Sequence, residues 1–178
     1  NGQAEVQCDG SNVNALLHRD STLSTTIKLR AVARQQQLLR IDFETPPSHE
    51  VLRAKLEDFR AQLPQADVVV LSDYGNGGLT HIADMIQLAR AAGKPVLADP
   101  KGEDFARYQG ATLLTPNRSE FTQVVGSWNS EAELAAKAEH LRTELQLDAL
   151  LVTRSEEGMS LFRAHEVLHE PTQSREVY

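Results

Sequence analysis

Apolar and polar residues alternate between residues 22 and 33, with Ile27, Leu29 and Ala31 on one face and Lys28, Arg30 and Val32 on the other. That two-residue period is the signature of a half-exposed strand. A second alternating run, from Leu38 to Glu44, follows the stretch Gln35-Gln36-Gln37, so the two runs predict a hairpin. From Pro46 the period changes. Leu52, Leu56, Phe59 and Leu63 recur at helical spacing behind Pro46-Pro47-Ser48, which predicts a helix to about Leu63. Residues Asp67 to Ser72 are β-branched and apolar at consecutive positions, the pattern of a central parallel strand covered on both faces. After the loop Asp73-Tyr74-Gly75-Asn76-Gly77-Gly78, a helix from Thr80 to Ala92 is predicted, with Ile82, Met85, Ile86 and Ala89 facing the sheet and Gly93 closing it.

The strand-loop-helix rhythm then repeats. Two short apolar strands, Pro95 to Ala98 and Ala111 to Thr115, each run into a polar turn marked by proline, Asp99-Pro100-Lys101-Gly102 and Pro116-Asn117-Arg118-Ser119-Glu120. A short helix carries Phe121, Val124 and Val125 to Gly126. Ser130-Glu131-Ala132-Glu133 reads as a capping box that opens a helix to about Gln146, with Leu134, Ala138, Leu141 and Leu145 inward. Ala149 to Thr153 is a last buried strand, and Met159 to Arg163 is its hairpin partner beyond the turn Ser155-Glu156-Glu157-Gly158. The repetition predicts an α/β fold, a parallel sheet with helices on both faces, together with the small β-hairpin. Residues 1–20 remain mostly unassigned.

Composition narrows the function. At 178 residues, 40% hydrophobic and 24% charged, the chain can bury one core, which points to one domain or part of one. The longest aliphatic run, Val68 to Leu71, is far short of the roughly 20 residues a bilayer requires. A net charge of -7 without clustered Lys and Arg speaks against a nucleic-acid partner. Cys8 is alone, so no internal disulfide can form and a reducing, cytoplasmic setting is expected. Asn1 is not a Met, and Tyr178 follows a strand-like polar stretch, so the chain reads as an internal fragment of a single domain, with the hairpin at about 22–44 and the α/β core at about 48–178.

Candidate chemistry collects at the two turns. Ligands in open α/β sheets gather outside the carboxyl ends of parallel strands, where helix N-termini point free N–H groups. Asn117-x-x-Glu120 is also a local capping box, and Asp99-Pro-Lys-Gly is also an ordinary turn. Taken together, Asp99, Lys101 and Glu120 at one sheet edge could hold a hydrated Mg²⁺ and a polyphosphate. A dinucleotide fold is the competing reading of Gly75 and Gly77, but G-x-G-x-x-G requires a third small residue where Thr80 stands. The six histidines occupy unlike contexts without a metal-binding pair. Lys28 and Arg30 facing Arg40 and Asp42 on the hairpin read most simply as a solvated face with cross-strand pairs.

DPKG, LLTPNRSE and LLVTRSEEGMSLF occur in the order and spacing of the ribokinase-like (PfkB) carbohydrate kinases, which the chain resembles from about Leu23 to Tyr178. VLSDYGNGGL, MIQLARAAGKPVLADPKG and PTQSREVY most resemble the heptose 7-phosphate kinases of lipopolysaccharide assembly. The resemblance implies a ribokinase-like fold and ATP- and Mg²⁺-dependent phosphorylation of the anomeric hydroxyl of D-glycero-β-D-manno-heptose 7-phosphate, a step of ADP-heptose biosynthesis. It implies that Lys101, Asn117, Arg118, Ser119, Glu120, Thr153 and Gly158 meet the nucleotide, with Asp99, Asn117 and Glu120 near the metal. The hairpin becomes a lid that pairs with a second subunit, and Lys28 and Arg30 become candidates for the sugar phosphate. A fused adenylyltransferase domain is a further implication. The family's catalytic Asp lies in a D-x-x-G-A-G-D segment absent from these 178 residues, as is its early G-G-x-x-x-N motif, so the chain alone is expected to be inactive. Another sugar kinase of the family, or a non-catalytic binding module of the same fold, is the alternative.

Overall fold

The computed structural model describes residues 14–18, 20, 23–34 and 36–172. Cys8 and the end of PTQSREVY beyond Thr172 lie outside them. The described strands form two sheets. In the smaller, β1 (Ile27–Ala33) and β2 (Gln36–Phe43) pair antiparallel, with Ile27, Leu29 and Ala31 opposite Phe43, Ile41 and Leu39. The register shifts between Ala31 and Val32. Every described residue of both strands is exposed, as expected of a ribbon with no sheet behind it.

The larger sheet contains six strands in sequence order: β3 (Val69–Ser72), β4 (Val96–Asp99), β5 (Leu113–Leu114), β6 (Ala149–Thr153), β7 (Met159–Arg163) and β8 (Glu166–Glu170). Pairing is parallel from β3 to β6 and antiparallel from β6 to β8. Its helices are α1 (His49–Gln62), α2 (Ile82–Ala91), α3 (Arg118–Val125) and α4 (Glu131–Glu144). Ala149 and Leu150 are consecutive and both buried, so β6 is covered on both faces. The core centres on Ile82, Ile86, Leu114, Phe121, Leu134 and Leu150, all fully buried.

Several expectations need correction. The run Asp67 to Ser72 is not central: among the described residues β3 is an edge strand, and Val70 is 68% exposed. Its apolar run identified a strand but could not tell which neighbour covers its outer face. Ser130 caps α4 by accepting from the Glu133 N–H, but Glu133 accepts from the Asn129 N–H instead of closing the box on Ser130. The cap was legible; the reciprocal arm slid by one residue. The α2 helix begins at Ile82, two residues after Thr80, because Thr80 is held in a turn by its bonds to the Gly77 carbonyl. The strand β8 escaped the sequence reading, since Glu166–Glu170 is exposed and carries no alternating apolar face.

Gly158 ends the β6–β7 turn at φ +88°, and a Cβ there would sit 2.1 Å from the Glu170 carbonyl oxygen of β8. The turn can lie against β8 only without a side chain. Gly158→Ala is therefore expected to lose on the order of 2–4 kcal/mol, since left-handed strain and a backbone collision act together. Urea denaturation monitored by circular dichroism checks this, and a midpoint unchanged from the parent would refute it.

Candidate active site

Strand register builds the site. Ser72 is paired with Asp99 and Ala98 with Leu114, so β3, β4 and β5 end together and their following turns emerge at one edge. An isolated parallel bridge between Asn117 and Thr153, with the Thr153 N–H on the Pro116 carbonyl at 3.1 Å, brings the end of β6 to the same place. Here the α3 helix begins. The Asn117 side chain accepts from the Glu120 N–H at 3.0 Å, and Glu120 Oε2 accepts from the Asn117 N–H at 3.1 Å. Glu120 Oε1 meanwhile accepts from Lys101 Nζ at 2.8 Å. One carboxylate thus serves as helix cap and as partner of the lysine on the neighbouring turn.

A buried acid lies beneath these turns. Asp73 is 4% exposed; its Oδ1 accepts from the Gly75 N–H and its Oδ2 from the Tyr108 hydroxyl, each at 2.9 Å. The Arg107 guanidinium stands 3.6 Å from Oδ2. The same Tyr108 oxygen accepts from the Lys101 N–H at 2.9 Å. Burial, with the Asp73 carboxylate alongside, pushes the phenol up to about 12, so it stays protonated and able to donate. Gly75 has φ +72° and approaches the Lys101 stem closely enough that a Cβ would stand 3.1 Å from Lys101 Cγ.

Partial burial and the Glu120 carboxylate raise the Asp99 carboxyl, Lys101 opposing them and Asp73 adding to them. The hydrogen bond to Glu120 raises Lys101, which is firmly cationic. Three cavities meet at these groups. One of about 640 Å³ is walled by Gly102, Arg107, Asn117, Ser119 and Glu120. Another of about 400 Å³ is walled by Asp73, Asp99, Asn117, Glu120 and Thr153. The third, about 790 Å³, opens toward the hairpin and is walled by Lys28, Arg40, Asp42, Glu44 and Asn76. Tyr74 and Lys101 line all three.

Not every expected residue reaches this wall. Arg118 turns away, paired with Glu157 and lying over the Trp128 ring at 5.4 Å. Neither it nor Gly158 is among the residues walling these cavities, and Gly158 has the packing role described above. Lys28 lines the hairpin cavity, whereas Arg30 stands opposite Arg40 in the strand register, two like charges face to face. The expected cross-strand pairs are only partly formed: Arg40 binds Asp42 on its own strand at 2.7 Å and Lys28 lies 3.8 Å from Glu44. Sequence reasoning missed Asp73, Tyr108 and Tyr74. An acidic residue directly after a buried strand was the available signal for Asp73; nothing local marked Tyr108.

The pfkB family carbohydrate kinase description matches residues 3–178. The chain is 51% identical over 174 residues to "Bifunctional protein HldE" of Chromohalobacter salexigens, covering 97% of this chain and 37% of that protein. It is 50% identical over 177 residues to the protein of the same name from Proteus mirabilis, covering 99% and 36%. The chain therefore spans just over a third of the length of these relatives. Among solved structures, ribokinase from Giardia lamblia superposes with a TM-score of 0.67 at 16% identity, covering 89% of this chain and 52% of that one. Arabidopsis thaliana ribokinase, solved with ribose and ATP, gives 0.60 at 16% identity, covering 83% and 48%. The fold is ribokinase-like, and the dinucleotide reading is set aside.

The Asp99 environment carries a sign. Its raised carboxyl means that the folded state disfavours the charge, so ionised Asp99 detracts from stability above the carboxylate range, and the penalty fades as the pH falls through that range. Asp99→Asn should accordingly raise the melting temperature at pH 7, with the gain shrinking under acid conditions. Thermal melts across pH check this; a variant less stable than the parent at pH 7 would contradict it.

Proposed function

The chain belongs to the pfkB family of carbohydrate kinases, and on that footing we propose that it forms part of an ATP-dependent kinase for the anomeric hydroxyl of D-glycero-β-D-manno-heptose 7-phosphate, a cytoplasmic enzyme of ADP-heptose synthesis. The observation that carries this reading is the meeting of Lys101, Asn117 and Glu120 at a wall shared with the hairpin cavity. Donor and acceptor need adjoining compartments, since phosphoryl transfer depends mainly on placement and charge. Identity of about half over nearly the whole chain to proteins named HldE supports the choice within the family, and the heptose acceptor follows from the resemblance already described.

The nucleotide phosphates lie against the α3 N-terminus at Ser119, where the helix dipole favours an anion, while the Arg118 side chain is held away by Glu157. Lys101 adds a point charge. For Mg²⁺ the donor set fits: Asp99 and Glu120 offer carboxylate oxygens to one cavity, with Asn117 beside them. When bound, the ion would neutralise charge on the phosphates. Thr153 borders the same space.

The sugar occupies the hairpin cavity, its phosphate drawn to Lys28 and Arg40 on the cavity wall, with Arg30 opposite Arg40 in the strand register as a further cation. The proton acceptor is assigned to a D-x-x-G-A-G-D segment that these 178 residues do not contain and that would also contribute to the nucleotide site, so the chain alone is expected to bind nucleotide weakly at best and to give no product. Proteins named bifunctional support a second, fused catalytic domain.

In the protein as its gene encodes it, heptose 7-phosphate with Mg-ATP should yield a new anomeric phosphate signal in ³¹P NMR. Glu120→Gln should slow that reaction most at low Mg²⁺, with a cost in stability of about 1–2 kcal/mol from the weakened Lys101 bond. Equal rates across a Mg²⁺ titration would sink the metal and nucleotide role of Glu120.

The exposed Ile27, Leu29, Ile41 and Phe43 of the hairpin support its role as a lid that also joins two subunits. Analytical ultracentrifugation should show a dimer for the parent and a smaller species for Leu29→Asp. A monomer in both would remove the dimer contact.

A further inference from the structure

We propose that Asp73 and Tyr108 are positioning residues for phosphoryl transfer, a buried hydrogen-bonded pair that fixes the Lys101 turn and the Tyr74 turn as one wall between the donor and acceptor cavities. This deepens the kinase reading and rests on it. Tyr108 is fully buried and Asp73 nearly so. A buried carboxylate is costly unless its oxygens are satisfied, and here both are. One oxygen ties the Gly75 N–H, which sets the turn that presents Tyr74. The other ties the Tyr108 hydroxyl, which in turn holds the Lys101 N–H and lies 3.3 Å from the Lys101 carbonyl.

Lys101 is thereby held at two points. Its backbone is anchored from below by the phenol, and its ammonium is anchored across the cleft by Glu120. Its stem runs past Gly75, whose missing Cβ leaves the room it needs. Phenylalanine at position 108 would fill the same core volume; the hydroxyl adds the link between the two turns. Tyr74 is 74% exposed and borders all three cavities, so the wall this pair fixes is the one that both substrates share. Arg107 completes the set, donating to the Leu79 carbonyl at 2.6 Å while facing Asp73.

The test compares the parent, Tyr108→Phe, Lys101→Ala and the double variant in the protein as encoded. Tyr108→Phe should raise the KM for Mg-ATP in the acceptor-dependent reaction by about tenfold, and the same substitution in the Lys101→Ala background should add less than about twofold. An unchanged KM, or an equal effect in both backgrounds, would show that the hydroxyl serves folding alone and overturn the proposal. Acetylation of Lys101 in the nucleotide-free protein, followed by peptide mass spectrometry, reads the same link without turnover. Its rate relative to that of Lys94, which precedes β4 at the opposite end of the strand, should change in Tyr108→Phe. An unchanged Lys101 rate overturns the positioning role whatever the substrate, whereas absence of acceptor-dependent turnover in the parent overturns the kinase reading. Should Tyr108→Phe fail to fold, Asp73→Asn probes the link from its other end. Its amide oxygen can keep the Gly75 turn while its NH₂ offers the phenol a donor in place of an acceptor, and the same shifts in KM and labelling are expected; their absence is equally decisive.

Discussion

The two oxygens of Glu120 join helix, turn and cleft into one unit. One oxygen closes the N-terminus of α3 on the Asn117 N–H and the other holds Lys101 from the turn after β4. Because the carboxylate is buried while the Lys101 side chain is half exposed, the negative partner is the fixed one and the cation is the one able to answer a ligand. Helix cap and the proposed binding role of Glu120 need not compete in this geometry. The cap holds the carboxylate still, and a stationary carboxylate is what a lysine or a metal ion needs in order to be placed.

That unit exists only because parallel pairing delivers its parts to one edge. Ser72 faces Asp99 in register, and the bridge from Asn117 to Thr153 extends the alignment to β6. A slip of one residue would turn each side chain to the opposite face of the sheet. The fully buried Leu114 and Leu150, partners across β5 and β6, resist such a slip because each fills a packed position that its neighbour along the strand would not fill with the same shape.

Most elements were legible, and the reasons are physical. Ile82, Met85, Ile86 and Ala89 read as one helix face because burial imposes the 3.6-residue period, and all four are buried. The turns after β4 and β5 were visible as proline-marked polar breaks. What the sequence left hidden depends on long-range neighbours. Val70 looks like a central-strand residue, yet its exposure follows from which strand lies alongside, a fact that no local pattern encodes. Tyr108 looked like any aromatic in a loop, and its partner Asp73 stands 35 residues away. Arg118 belongs to the motif by position, but Glu157 and the Trp128 ring orient its side chain, so residue order predicted its neighbourhood without its direction.

For the two anionic substrates proposed, an acidic chain must localise its positive charge at the cleft. The net charge of -7 repels phosphate at long range, where salt screens it beyond about 8–10 Å. At short range the sign is set by Lys101, by the α3 N-terminus and, across the cleft, by Lys28 and Arg40 of the hairpin. Every one of these side-chain cations is already paired: Lys101 with Glu120, Arg40 with Asp42, Lys28 with Glu44. The exposed hairpin pairs are worth little in stability, so exchanging a carboxylate for a phosphate there costs little, whereas Lys101 turns to an anion only by leaving the buried Glu120 carboxylate without its ammonium.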